Sequence, residues 1–411
     1  VTTANTTHWT PSEEAAAAYR DRLDPYPYYA EARRSAPVRE VLPGDIEAEG
    51  VGALSLANGR KAFALFRGDD IDAVMKDADT FSSRIYTEIM TWGDALLGMD
   101  APRHPMYRAL VSRAFSRKSL GAWYDEVIPP VINRLVDAFS GRGRADLVSE
   151  LTGRFPFEVI AMLMGIPPGD HDAFREWTMA VVNAWMEPEA SLAANEKIRE
   201  YFAPILGARR AEPVDDLLSQ LVTAQVDGRG LDDEEIDAFI ISLFSAGSDT
   251  TYYSSSNLFH SLLTHPEQFE AVLADRALIP QAVEESLRWQ TGGPLYNLRR
   301  VTRDTQMGGV DIPAGADVIL MFASQHRDQD RYTDPDNFDI HRSEGRRGTF
   351  GSGPHTCLGN HLARMEMATA LSICMDRLPG LRLDPAQDVP PVEGVVWRGP
   401  ASLPVIFDVG A

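Results

Sequence analysis

Cysteine is nearly absent. Two thiols in 411 residues, Cys357 and Cys374, cannot form a disulfide framework, and such usage fits a reducing compartment. Positive charge is also short: 39 Lys and Arg stand against 60 Asp and Glu, a formal net charge of −21. A field of that sign repels phosphate, which argues against nucleic acid or an anionic membrane as a general partner. No apolar run approaches the roughly 18–20 residues that cross a bilayer. The opening VTTANTTHWTPSEEAAAAYRD has no basic stretch followed by an apolar one, so no signal peptide is expected. Internal repeats, low-complexity tracts and Gly/Ser linkers are missing too. These absences lead to a cytoplasmic chain forming one domain over residues 1–411.

What is present is mostly helix. Apolar residues recur at helical spacing near 69–78, 103–118, 120–140, 155–164, 170–186, 191–210, 214–224 and 280–290. VREVL, NGR and KAFALF read as strand, tight turn and strand, with Asn58-Gly59 suited to a primed hairpin turn. Strand signal returns at MGGVDIPAGADVILM and LPVIFDV. The fold class expected is therefore mainly α, with a smaller β-rich portion near 36–67, 295–322 and 380–411. The longest helix should open at Asp232, with Glu235 completing a capping box, and stop before His265-Pro266. About 32 residues at about 1.5 Å each cross a domain. Its middle, AGSDTT, suits a helix poorly. Glycine costs about 1 kcal/mol against alanine there, and hydroxyls compete for backbone carbonyls. A tolerated kink is one reading; a groove beside a ligand, flanked by an acid and a hydroxyl, is the other.

The lone thiol at Cys357 lies in FGSGPHTCLG, the tightest glycine-rich turn, directly before the amphipathic segment LGNHLARMEMATALSICMDRL. A helix N-terminus favours a thiolate. Cys374 falls inside that helix between Ile373 and Met375 and reads as a core thiol. His355 and His361 flank Cys357, yet no second pair of ligands stands at zinc spacing. No base or oxyanion site marks a nucleophile. A single thiolate on haem iron remains, with glycines letting the porphyrin face approach.

On these residues the chain resembles the cytochrome P-450 haem-thiolate monooxygenases, in their soluble bacterial form. FGSGPHTCLG matches the F-x-x-G-x-x-x-C-x-G loop; AGSDTT, EESLR and HRDQDRYTDPDNFDIHR match three further motifs in order. DPYPYYAEAR and DAPRHPMYRALVSRAF add to the likeness, which spans essentially the whole chain. It implies a P-450 fold, with the long helix crossing a buried haem b. It makes Cys357 the iron ligand, places Phe350, Gly351 and Gly359 in the loop around it, and brings Ala246 and Gly247 to the haem. His104, Arg108, Arg299 and His355 become partners of the haem propionates. Arg299 is preferred to Arg300 by its spacing to Asp304. Asp249 and Thr250 become the catalytic pair that delivers protons. Glu285, Arg288 and Arg342 become structural.

The resemblance also implies a pocket lined by Ile85, Tyr86, Ile89, Met90, Trp92, Val182, Trp185, Met186, Phe244, Leu295, Tyr296 and Trp397. Such a lining suits a lipophilic substrate oriented by shape, with Tyr86, Tyr296 or Asn297 as polar anchors. The reaction expected is insertion of one O2 oxygen by C–H hydroxylation, with epoxidation or dealkylation open. Electrons would come from NAD(P)H through a separate reductase and ferredoxin, since the family pattern fills the chain. The donor is expected near Arg113 and Arg117, in a stretch from Arg103 to Lys118 without Asp or Glu, joined by Arg346 and Arg347. The alternative class is a haem protein that does not oxygenate: a sensor, carrier or isomerase. The intact Asp249–Thr250 pair favours the oxygenase.

Overall fold

VREV and AFAL form the antiparallel strands Val38–Val41 and Ala62–Leu65, with Val38 opposite Leu65 and Val41 opposite Ala62. The computed structural model describes residues 24–45, 47, 53–91, 94–115, 121, 126–182, 187–226, 228–343, 348–394 and 396–409. All four residues of AFAL are buried, as an interior strand requires. Ala62–Leu65 pairs in parallel with Asp317–Leu320, which pairs antiparallel with Asn297–Val301; Phe81–Ser82 closes the edge. Asn58-Gly59 is not the hairpin tip that was expected. It ends a short helix, Ala53–Ala57: Gly59 takes φ +68°, its N–H donates to the Leu56 carbonyl at 2.9 Å, and the Arg60 N–H reaches Ser55. A left-handed glycine in that place satisfies carbonyls that the helix end leaves open.

Two compact units emerge, each drawn from three stretches of chain. The first comprises the described residues of Val1–Ser83, Tyr253–Cys357 and Ala386–Leu403 and holds this sheet. The Gly68–Lys76 helix packs Ile71, Val74 and Met75 into one buried cluster with Phe63, Leu65, Phe81, Val318 and Leu320. The second unit comprises Arg84–Tyr252, Leu358–Pro385 and the described part of Pro404–Ala411. It is mainly helical, with a small sheet in which Pro404–Ile406 lies between Arg144–Asp146 and Arg382–Leu383. The strand at 144–146 lies outside the expected β-rich portion. In this unit His171–Val182 packs along Pro188–Ala211, and Phe174 meets Tyr201 and Phe202 at ring-centre distances of 4.6 and 5.7 Å.

Among the described residues helices stand at the expected places with their ends moved by one to several residues, among them Arg103–Ala114, Ile128–Asp137, Phe155–Leu163, Leu217–Thr223 and Ile279–Trp289. The long helix runs Asp233–Thr264, 32 residues, unbroken through AGSDTT. Its capping box is complete: the Glu235 N–H donates to Asp232 Oδ1 at 2.9 Å, and the Asp232 N–H donates to Glu235 Oε2 at 3.2 Å. Pro266, which ends this helix, also begins the next, Pro266–Ala274, because a first-turn residue needs no backbone donor.

Candidate active site

The cysteine loop is shaped by two left-handed glycines, Gly351 at φ +71° and Gly353 at φ +72°. A Cβ on Gly353 would stand 2.2 Å from the Met75 carbonyl oxygen, so no other residue fits there. The Cys357 N–H donates to the Phe350 carbonyl at 2.9 Å, which folds the loop back on itself. Gly359 then caps the Asn360–Arg377 helix, and the Ala363 N–H reaches its carbonyl at 3.0 Å. Among the described residues nothing lies within 4 Å of a Cβ placed on Gly359. The thiol of Cys357 is exposed. Cys374 is fully buried, and burial pushes its thiol up to about 12, so it stays protonated and makes a poor metal ligand.

Basic residues stand in both units. In the first, His355 Nε2 lies 3.1 Å from Ser83 Oγ. Arg299 and Arg300 point to opposite faces of their strand. Arg300 is taken by Asp317 at 2.6 Å, an acid that Arg60 also reaches. Arg299 is buried and donates to Asn297 Oδ1, to the Leu298 carbonyl and to Met75 Sδ at 3.4 Å. A buried guanidinium on a strand and an exposed thiol at a helix start are groups that suit a ligand bringing carboxylates and a metal. In the second unit His104 is buried and Arg108 half-buried, four residues apart on the Arg103–Ala114 helix.

On the long helix Ala246 is exposed and Gly247 and Thr250 are half-exposed, while Phe244, Ser245, Ser248 and Thr251 are buried. One narrow face is thus open at Ala246 and Thr250. The Thr250 hydroxyl donates to the Ala246 carbonyl at 2.6 Å, so its oxygen lone pairs remain available as acceptors. Gly247 serves packing: a Cβ there would come within 3.1 Å of Ile160. Burial raises the Asp249 carboxyl to about 6, and Arg175 opposes that rise. Arg175 is itself held at 3.0 Å by the Gly153 carbonyl. Arg175 was not anticipated, because no sequence spacing links it to Asp249.

Glu285, Arg288 and Arg342 come together in the first unit. Arg288 grips both Glu285 oxygens, at 2.8 and 2.7 Å, and donates to the carbonyls of His326, Pro335 and Asn337. Arg342 reaches Glu285 Oε1 at 3.2 Å.

The pocket residues divide. Ile85 and Tyr86 are buried, Ile89 and Met90 half-buried. The Val182 side chain, and all of Trp92, Trp185 and Met186, lie outside the described residues. Phe244 packs between Phe157 and Phe174 at 5.9 and 5.8 Å, inside an aromatic core. In the first unit the Leu295 N–H donates to the Val396 carbonyl, Tyr296 is half-buried, and Trp397 stacks on Tyr253 with planes 7° apart. Tyr253 had not been singled out. Gly292 is pressed against the long helix, with a Cβ position only 2.5 Å from the Ser254 nitrogen. Of the expected donor surface, Arg103 is engaged by Asp94 and Glu235. The Arg113 side chain, and Arg117, Lys118, Arg346 and Arg347, lie outside the described residues. No helix among the described residues is long and apolar enough to cross a membrane.

The sequence profile of the family described as Cytochrome P450 matches residues 174–398. A steroid C26-monooxygenase of Mycolicibacterium smegmatis is 36% identical over 324 residues, 77% of this chain and 80% of that protein. The mycinamicin IV hydroxylase/epoxidase of Micromonospora griseorubida is 34% identical, over 92% of this chain and 94% of its own length. The crystal structure of CYP109E1 from Bacillus megaterium with testosterone superposes with a TM-score of 0.83 at 30% identity, covering 94% of this chain and all of that one.

Proposed function

The chain belongs to the cytochrome P450 family, and from that premise we propose which of its residues carry the chemistry and what kind of molecule it oxidises. It is a haem b monooxygenase acting on lipophilic substrates with O2 and a redox partner. When bound, the haem supplies reductive activation of O2 and transfer of one oxygen atom. Cys357 holds it; the observation that carries this assignment is an exposed thiol in a glycine-set loop at a helix start, against a second thiol that is buried and protonated. We assign the carboxylates to His104, Arg108, Arg299 and His355.

Asp249 and Thr250 move protons. A carboxyl poised at about 6 exchanges its proton readily near neutral pH, whereas an ordinary aspartate is almost wholly ionised there. Thr250 Oγ1, anchored by its own hydrogen to Ala246, accepts and orients a donor beside the open helix face. Thr250→Ala should still bind substrate and consume NADH, with hydrogen peroxide replacing most of the hydroxylated product. Product formed per NADH is the measurement, and unchanged coupling removes Thr250 from the mechanism.

For substrate we favour a bulky polycyclic or macrocyclic lipophile. The relatives named for steroids and a macrolide support it, as does the apolar character of Ile85, Tyr86, Ile89, Met90 and Leu295. Titrating ferric enzyme with testosterone, corticosterone and a macrolide lactone should give a spin-state shift with at least one; silence from all three overturns this class. Electrons are taken to arrive from a ferredoxin, itself reduced from NAD(P)H.

A further inference from the structure

The inward stripe of the Pro188–Ala211 helix reads, from its C-terminal end, Leu206, Phe202, Ile198, Asn195, Ser191, all almost fully buried. Three apolar residues give way to two polar ones. At the polar end Ser191 Oγ lies 2.6 Å from Thr91 Oγ1, and Asn195 Nδ2 donates to the Thr91 carbonyl at 2.7 Å. The carboxamide is thereby fixed in orientation. Its Oδ1 is nevertheless buried with no hydrogen-bond partner among the described residues. Thr178 on the neighbouring His171–Val182 helix repeats the situation: it is 3% exposed and its Oγ1 has no partner among the described residues. A threonine inside a helix ordinarily donates to the carbonyl four residues back. Thr223, Thr250 and Thr264 all do so here, and Thr178 does not. Phe174 faces Tyr201, and Lys197 lies over Trp177 at 5.9 Å, an antiparallel register that brings Thr178 within about half a helical turn of Asn195. Interiors retain few unmet polar atoms. Two such atoms on facing helices, in the unit that also holds Ile85, Tyr86 and Met90, are available to a group that a ligand brings.

We propose that Asn195 and Thr178 form a recognition point for a hydroxyl group carried by the substrate, and so determine specificity. The inference rests on the reading that the 85–92 stretch and these two helices face a lipophilic substrate. A hydroxyl is the small group that completes both residues: its hydrogen goes to Asn195 Oδ1, and its oxygen accepts from Thr178 Oγ1. A ketone satisfies Thr178 alone, and a methylene satisfies neither. A site built to bond a hydroxyl rejects the analogue that lacks it, because its own buried groups are then left unpaired.

The test is a spin-state titration of ferric holoenzyme with matched probes. These are testosterone with its 17-keto and 17-deoxy counterparts, and 1-dodecanol with dodecane. The wild type should bind the hydroxylated member about 10-fold tighter than the deoxy member, with the ketone between. Asn195→Leu and Thr178→Val should bring that ratio close to one by weakening the hydroxylated probe alone. Thr178→Ser should keep the preference, which a merely structural role would not require. Haem content is measured for each variant; if Asn195→Leu does not load haem, the Thr178 pair decides. The same ratio in wild type and Thr178→Val means that internal water satisfies both atoms, and the inference falls while the substrate reading stands. Absence of any spin shift in the wild type overturns the substrate reading, and this inference with it.

Discussion

Burial separates the two thiols that composition alone treats as equals. Cys357→His should abolish the thiolate-type Soret band of the ferrous–CO complex, while Cys374→Ala keeps it and loses about 1–2 kcal/mol of stability from a small cavity. A normal band in Cys357→His removes it as the ligand. Asp249 makes a prediction with a definite sign. Its folded carboxyl holds a proton up to about 6, while an ordinary aspartate loses it near 3.8. Between those values the folded state binds more protons than the unfolded one, so the contribution is fully present below about 3.8 and is lost as pH rises through about 6. Asp249→Asn should remove that slope from the pH dependence of melting, and should remove the limb near pH 6 from the turnover profile. Persistence of both in the variant assigns them to another group.

Elements carry the next level of argument. The Ile279–Trp289 helix does no chemistry in this reading, yet its Arg288 is fully buried and ties Glu285 to three carbonyls of the 326–337 segment. Arg288→Met leaves a buried carboxylate and those carbonyls without their donor, at a cost on the order of 3–5 kcal/mol. Arg288→Lys should rescue little, because an ammonium cannot reproduce the bidentate grip. Thermal melting of the holoenzyme checks both, and a lysine variant as stable as wild type overturns the geometric argument. The long helix shows how elements settle what composition leaves open. AGSDTT invited a kink, but the ladder runs unbroken even though Thr250 donates its hydroxyl back to the Ala246 carbonyl, and Gly247 there lets Ile160 pack close.

For the whole molecule, charge is the governing quantity. A body of net charge −21 repels an acidic redox partner unless basic residues are gathered locally. Arg103 is committed to Asp94 and Glu235, which leaves Arg113, Arg117, Lys118, Arg346 and Arg347 for the proposed docking surface. Arg113→Glu or Arg117→Glu should raise the apparent KM for ferredoxin several-fold and flatten its salt dependence, with substrate affinity unchanged. Steady-state rates across ionic strength measure this. Reversals without effect place the partner on another surface.

The sequence by itself determined the family, the capping box at Asp232 and the mainly helical class, and it supplied the ligand thiol and the acid–alcohol pair proposed above. Each rests on local chemistry: a residue type in a fixed spacing, with little help from distant chain. Tertiary structure alone decided the rest. Nothing local says that Asn58-Gly59 closes a helix instead of a hairpin, that Phe244 belongs to an aromatic core, or that Arg175 lies beside Asp249. Asn195 and Thr178 read as ordinary polar residues until the packing of two helices buries them and leaves their oxygens unmet. Burial and partnership are properties of chains brought together in space, and desolvation, which sets the charge of Asp249 and Cys374, exists only once they are.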